Sequence, residues 1–133
     1  MELRTEFGLG LWDELIEQLP QDSFLVGLSS IHWREAWKYG ERAFRYCQHD
    51  IGHAWAALSI SALMLGWKLK ILNTISDEAI AKLLGLNRSN DFEMEEKETP
   101  DLLAVIVPSN DTFKLDQSLK QESIQEIANG KWF

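Results

Sequence analysis

The spacing of hydrophobic positions changes several times along the chain, and each change marks an element. At the start, Leu3, Thr5 and Phe7 alternate with Glu2, Arg4 and Glu6, the period-two pattern of a strand with one wet face. After Gly8 and Gly10, Leu11, Trp12, Leu15, Ile16 and Leu19 recur at helical spacing, and Pro20 marks the end of that helix. Phe24–Leu28 reads as a buried strand, and Ser29–Tyr39 as a Trp-rich loop or irregular turn. From Phe44 the apolar positions Cys47, Ile51, Ala54, Leu58, Ala62 and Leu65 return every three or four residues. This predicts one helix over Glu41–Leu65, about 37 Å long if it reaches Gly66. Its second half, AWAALSISALMLG, is apolar nearly all round, which predicts a helix central to the core with Ala54, Leu58, Ala62 and Leu65 inaccessible.

Leu69–Leu72 reads as a short strand. Ser76 is placed to cap a helix whose first turn holds Asp77 and Glu78, whose buried side is Ala79, Ile80, Leu83 and Leu84, and which Gly85 ends. Asn87–Pro100 is polar and acidic, a solvated loop. Leu102–Val107 is an unbroken apolar run rich in β-branched residues, the mark of a central strand covered on both faces. From Asp116, Leu119, Ile124 and Ile127 predict a last amphipathic helix ending at Gly130. Strands interleaved with helices make an α+β fold, and 133 residues suffice for one core.

Charge narrows the partners. The net charge is -8 and the pI about 4.8, which argues against a nucleic-acid or anionic-membrane surface. The acid is uneven: Ile31–Asp50 holds four basic residues against three acids, whereas Asp91–Asp101 holds six acids against Lys97 alone. With Cys47 as the only cysteine, no internal disulfide forms, and a reducing cytoplasm is the expected setting. The charged N-terminus has no apolar segment of signal-peptide type.

The one locally basic stretch interleaves Arg34, Lys38, Arg42 and Arg45 with Trp33, Trp37, Tyr39, Phe44 and Tyr46, offering cations beside flat apolar faces suited to a planar anion. Lys38 beside Tyr39 suits proton abstraction, for which a lysine needs a lowered pKa, and Arg42 one turn on is a cation that would lower it while Glu41 opposes it. The same residues also read structurally, as a helix-entry lysine paired with Glu35 or Glu41 and a tyrosine packed on Trp37. His49 and His53, four apart, could bind zinc given a third ligand, but no Cys or HExxH set accompanies them. His53 reads more simply as a hydrogen-bonded structural histidine.

The run Lys38-Tyr39-Gly40-Glu41-Arg42, then Arg45-Tyr46, then Asp50-Ile51-Gly52-His53-Ala54, resembles the KYGxRxxRYxxxDxGH signature of the SagB-type dehydrogenases, FMN enzymes of the nitroreductase superfamily. FLVGLSSIHWREAW before it, and SDEAIAKLLGL and PDLLAVIVP after it, are also similar to the family. The resemblance implies a sheet with helices on both sides and hydride transfer from a small-molecule or peptide substrate to FMN, with Lys38 and Tyr39 handling the proton. It implies a homodimer with flavin sites between subunits, and a turn at Asn73 and Thr74 whose backbone meets the flavin N5 edge. Two departures accompany it. The family's N-terminal Arg-Ser-Arg type phosphate clamp has no counterpart, leaving Arg42 and Arg45 as substitutes, and the chain stops at Gly130-Lys131-Trp132-Phe133, before the family's Asn-x-Leu-Ser run. The chain then corresponds to a partial domain, completed by a partner or working as a non-catalytic module.

Overall fold

The computed structural model describes residues 4–88, 97–108 and 119–132. Within them the elements run α1 (Leu9–Leu15), β1 (Phe24–Ser30), α2 (His32–Tyr39), a single 3-10 turn (Gly40–Arg42), α3 (Ala43–Met64), β2 (Lys68–Ile71), α4 (Asp77–Leu84), β3 (Thr99–Val107) and α5 (Gln121–Asn129). The fold is α+β. The strands form one sheet in the order β1-β3-β2, with both pairs antiparallel.

The apolar run at 102–107 is the middle strand. Leu103, Val105 and Val107 point to one face, opposite Gly27, Leu25 and Lys68 respectively, and Leu102, Ala104 and Ile106 to the other. The first face carries the main core. Leu15 and Leu19 from α1 and its exit, Ala79 and Ile80 from α4, and Leu119, Ile124 and Ile127 at α5 close over Leu103, Val105 and Val107. Gly27 lets α4 approach this closely, because a Cβ there would overlap the Leu84 side chain. The capping pattern at α4 is realised. Ser76 Oγ accepts from the Ala79 N–H at 3.2 Å, and Gly85 takes φ 72° while the Leu86 N–H returns to the Ala81 carbonyl at 2.8 Å.

α3 runs along the second face. Near its start Gln48 Nε2 donates to Asp101 Oδ1 at 3.3 Å. Just past its end Trp67 meets Phe24, at the other end of β1, edge-on at 6.0 Å. The helix is unbroken over 22 residues, yet the expectation of a buried central helix is corrected. Ala62 is buried, Ala54 and Leu58 are half-buried, and Leu65 is exposed with Ile60, Leu63 and Met64. The physical reason is that, beyond the contact of α2 with its start, no described element covers α3 on its far side, so most of its apolar circumference has only one partner layer.

Further boundaries move: β3 starts at Thr99, within the polar stretch read as a solvated loop, and α1 ends at Leu15. The Trp-rich stretch read as a loop contains α2, formed by the helix-favouring Arg34, Glu35, Ala36 and Lys38 and stopped by Gly40 at φ 59°. The period-two start is not part of the sheet: Thr5 makes an isolated bridge to Trp132 and its hydroxyl donates to the Lys131 carbonyl at 2.8 Å. Leu3, the acidic positions 91–96 and the Asp116 start of the last helix lie outside the described residues.

The two faces of the sheet predict opposite responses to the same chemistry. Leu103→Ala, in the closed core, should cost about 2–5 kcal/mol, whereas Leu63→Ala, on the outer side of α3, should stay within about 0.5 kcal/mol. Urea denaturation followed by circular dichroism reads both. Equal losses would mean that α3 is covered.

Candidate functional site

The junction between α2 and α3 gathers the Lys38–Tyr46 part of the signature, while Asp50, Gly52 and His53 lie further along α3. Gly40 ends α2, the 3-10 turn redirects the chain, and α3 begins at Ala43. Lys38 and Tyr39 close α2, Arg42 closes the turn, and Arg45 and Tyr46 lie in the first turn of α3. All five are exposed. Lys38 Nζ lies 5.2 Å from the centroid of the Tyr39 ring, within cation–π range, and the Tyr39 and Tyr46 rings are 4.7 Å apart at 52°. One turn back, Trp33 and Trp37 share a side of α2, Trp37 being 82% exposed. His32 stacks on Phe44 at 5.7 Å, fastening α2 to α3. The first turn of α3 holds no acid, and neither Arg42 nor Arg45 makes an ion pair among the described residues.

The predicted residues converge to different degrees. Lys38, Tyr39 and Tyr46 form one contiguous group, with Arg42 and Arg45 on the same junction. Asn73 and Thr74 are exposed in the turn after β2. β1 and β2 both run antiparallel to β3 and so point the same way, but β2 ends at Ile71 opposite Ala104 while β1 runs on to Ser30 opposite Thr99. The 73–74 turn therefore starts level with the middle of β3, short of the end where α2 departs, and makes no hydrogen bond to the junction among the described residues. His49 and His53 are exposed on α3, and among the described residues no three His, Cys, Asp or Glu side chains gather as a metal site.

Beneath the junction lies a polar constellation that the sequence did not announce. Ser30 Oγ donates to Asp101 Oδ2 at 2.6 Å and Ser29 Oγ to Glu98 Oε2 at 3.1 Å, so the end of β1 is tied to the start of β3 by side chains as well as backbone. A cleft of about 440 Å³ opens here, bordered by Ser30, Arg34, Glu35, Cys47, Asp50 and Glu98 among others. Its carboxylates disfavour an anionic ligand, which leaves the Arg42 and Arg45 side of the junction as the place for one. Ser30, Glu98 and Asp101 come together through the pairing of β1 with β3, and Cys47 joins them through the packing of α3, so no spacing rule could have grouped them.

Cys47 is buried at the inner side of α3. Burial pushes its thiol above the ordinary value of 9.0, Glu35 adds to this, Asp101 and Asp50 add further, and a hydrogen bond with Ser30 works the other way. A thiol held protonated is a poor nucleophile, so Cys47 packs rather than reacts. Comparison with family models, curated proteins and solved structures finds no match to the chain.

The thiol gives a pH prediction with a definite sign. The folded state holds the proton more tightly than the unfolded state, so stability is unaffected well below 9 and falls as pH rises from there towards the folded value. In Cys47→Ala this alkaline loss should be smaller, read by urea midpoints across that range. Thiol labelling of the native protein at pH 8 should be far slower than in denaturant. Equal labelling rates would show that Cys47 is open to solvent.

Proposed function

We propose that the protein is an FMN-dependent oxidoreductase of the nitroreductase superfamily, of SagB type, acting on a small-molecule or peptide substrate in the cytoplasm. What supports the reading is a single arrangement: the residues of the KYGxRxxRY signature stand as one exposed junction, with Lys38 against the Tyr39 ring and Tyr39 against Tyr46. The donor set fits the cofactor chemically. Arg42 and Arg45 would take its phosphate, and the aromatic faces would take its planar ring, with the backbone at Asn73 and Thr74 at its polar edge. FMN, when bound, supplies the hydride acceptor. Within this reading Lys38 Nζ accepts the substrate proton, and the Tyr39 hydroxyl holds the group that loses it by donating a hydrogen bond. Two exposed arginines by themselves would hold the phosphate weakly, since surface ion pairs contribute little each.

A second reading is favoured by a different observation. The outer side of α3 exposes a run of large apolar residues, the mark of an association surface. The chain would then serve as a non-catalytic module that docks on itself or on a partner.

The two separate by absorbance. A protein purified with FMN, or reconstituted with it, shows the flavin bands, and a docking module shows none. Where flavin binds, Lys38→Ala and Tyr39→Phe should slow its reduction by substrate by about 10²- to 10⁴-fold with little change in FMN affinity, measured by rapid-mixing absorbance. Undiminished reduction in both variants would make the pair structural.

A further inference from the structure

The cleft between the end of β1, α2 and the inner side of α3 combines an apolar floor with an acidic rim. Most of its lining is apolar. Leu28 pairs with Leu102 on the face of the sheet along which α3 runs, and Ile31 follows where β1 passes into α2. Ile51 and Ala54 line the same space from α3, in one stripe with Cys47. At about 440 Å³ the cleft is of the size that holds a small organic molecule, and an apolar floor with a few convergent polar groups is the ordinary make-up of such a site.

The rim sets the sign of the ligand. Glu35 comes from α2, Asp50 from α3 and Glu98 from the residue before β3, three carboxylates against the one guanidinium of Arg34. No ion pair joins any of the three to another described residue. Lys38, three residues on from Glu35 and so within its reach along α2, lies instead against the Tyr39 ring. Glu35 and Glu98 are half-buried, and a carboxylate taken partly out of water calls for a cation or for several donors. Glu98 accepts from the Ser29 hydroxyl at 3.1 Å, whereas Glu35 has no hydrogen bond among the described residues. The charge of the rim also reaches the floor: the Cys47 thiol is pushed up first by burial and then by Glu35, Asp101 and Asp50.

We propose that this cleft binds a small protonated amine, a primary ammonium carried on a short aliphatic chain, with the ammonium among Glu35, Asp50 and Glu98 and the chain on Leu28, Ile51 and Ala54. Two other cations fit less well. A metal ion gains nothing from an apolar floor, and among the described residues no three His, Cys, Asp or Glu side chains gather as a metal site. A guanidinium is a planar fork that wants one carboxylate square to it. Here the carboxylates arrive singly from three elements, which suits the compact ammonium and its three donors. The site uses neither flavin nor the Lys38–Tyr39 pair, so it goes beyond the proposed function and does not depend on it.

Titration of the whole chain with n-hexylammonium, followed by amide shifts in two-dimensional NMR, should saturate and should first move the signals of Leu28–Ile31, Glu35, Cys47–Ala54 and Glu98. Methylammonium keeps the charge without the chain and should bind about tenfold more weakly or worse, since each buried methylene contributes roughly fourfold. Hexanoate, which reverses the charge, should leave these signals in place. Glu35→Gln combined with Asp50→Asn, both close to isosteric, should keep the circular dichroism and weaken hexylammonium binding about tenfold or more, as the loss of hydrogen bonds to charged groups requires. Shifts that never saturate or that centre on the outer side of α3, equal binding of hexanoate, or an affinity unchanged in the double variant would overturn the site. Every arm is read without flavin, so a protein that takes no FMN tests the cleft equally well.

Discussion

A central strand with no polar face has to be covered on both sides, and the arrangement of this protein follows from how unequally that is achieved at β3. Leu103, Val105 and Val107 are sealed by three helices, so that face holds the residues with almost no solvent contact. Ala104 and Ile106, on the other face, are equally inaccessible, but α3 is the only described helix that runs along this side. One helix can cover a three-stranded sheet only by lying along it, and its far side then faces outward whatever its composition. The exposed leucines of α3 are thus a consequence of sheet width, and not of a poorly formed helix.

The route of α3 also fixes the junction. The chain must leave β1 at one end of the sheet, turn, and cross the second face towards β2. The polar ties of Ser30 and Gln48 to Asp101 hold the start of that crossing against the first residues of β3. The Ser30 bond is half-buried, and such a bond to a carboxylate is costly to leave unmade, so it acts on direction as much as on stability, while the Gln48 bond is exposed. Gly40 at its positive φ supplies the turn itself, and a residue with a Cβ would be strained there.

Legibility in the sequence tracks how local the deciding interaction is. The α4 helix, with Ser76 at one end and Gly85 at the other, was readable because caps and dipole partners lie within one turn of what they stabilise. β3 was readable because its run of Leu, Ala, Val and Ile admits no wet face. The interior status of α3 was misread because an apolar residue reports only that burial is favourable, not that a partner layer exists: Leu65 and Ala62 look alike in the pattern and differ wholly in the fold. α2 escapes the pattern because Trp33 and Trp37 suggest an irregular segment, while Gly40, which stops it at φ 59°, sits where the pattern starts the next helix. Of the candidate site, the contact of Lys38 and Tyr39 follows from adjacency, whereas the cleft bordered by Ser30, Cys47 and Glu98 depends on strand pairing and on the packing of α3 and has no trace in spacing.

The junction and the cleft beneath it carry opposite charge, and this separation has a consequence for orientation. Arg42 and Arg45 stand on the outer side with no acid in the first turn of α3, while Glu35, Asp50, Glu98 and Asp101 cluster inward around Cys47. A ligand with an anionic tail and a neutral planar head meets attraction from the arginines and repulsion from the cleft, so its tail is turned outward along α3 and its head lies against the aromatic rings. Under the proposed function Lys38, beside Tyr39, is then next to the head and not the tail, the placement that a proton acceptor would need. This orientation rests on the sign of the charges on the two sides of one helix rather than on any single contact.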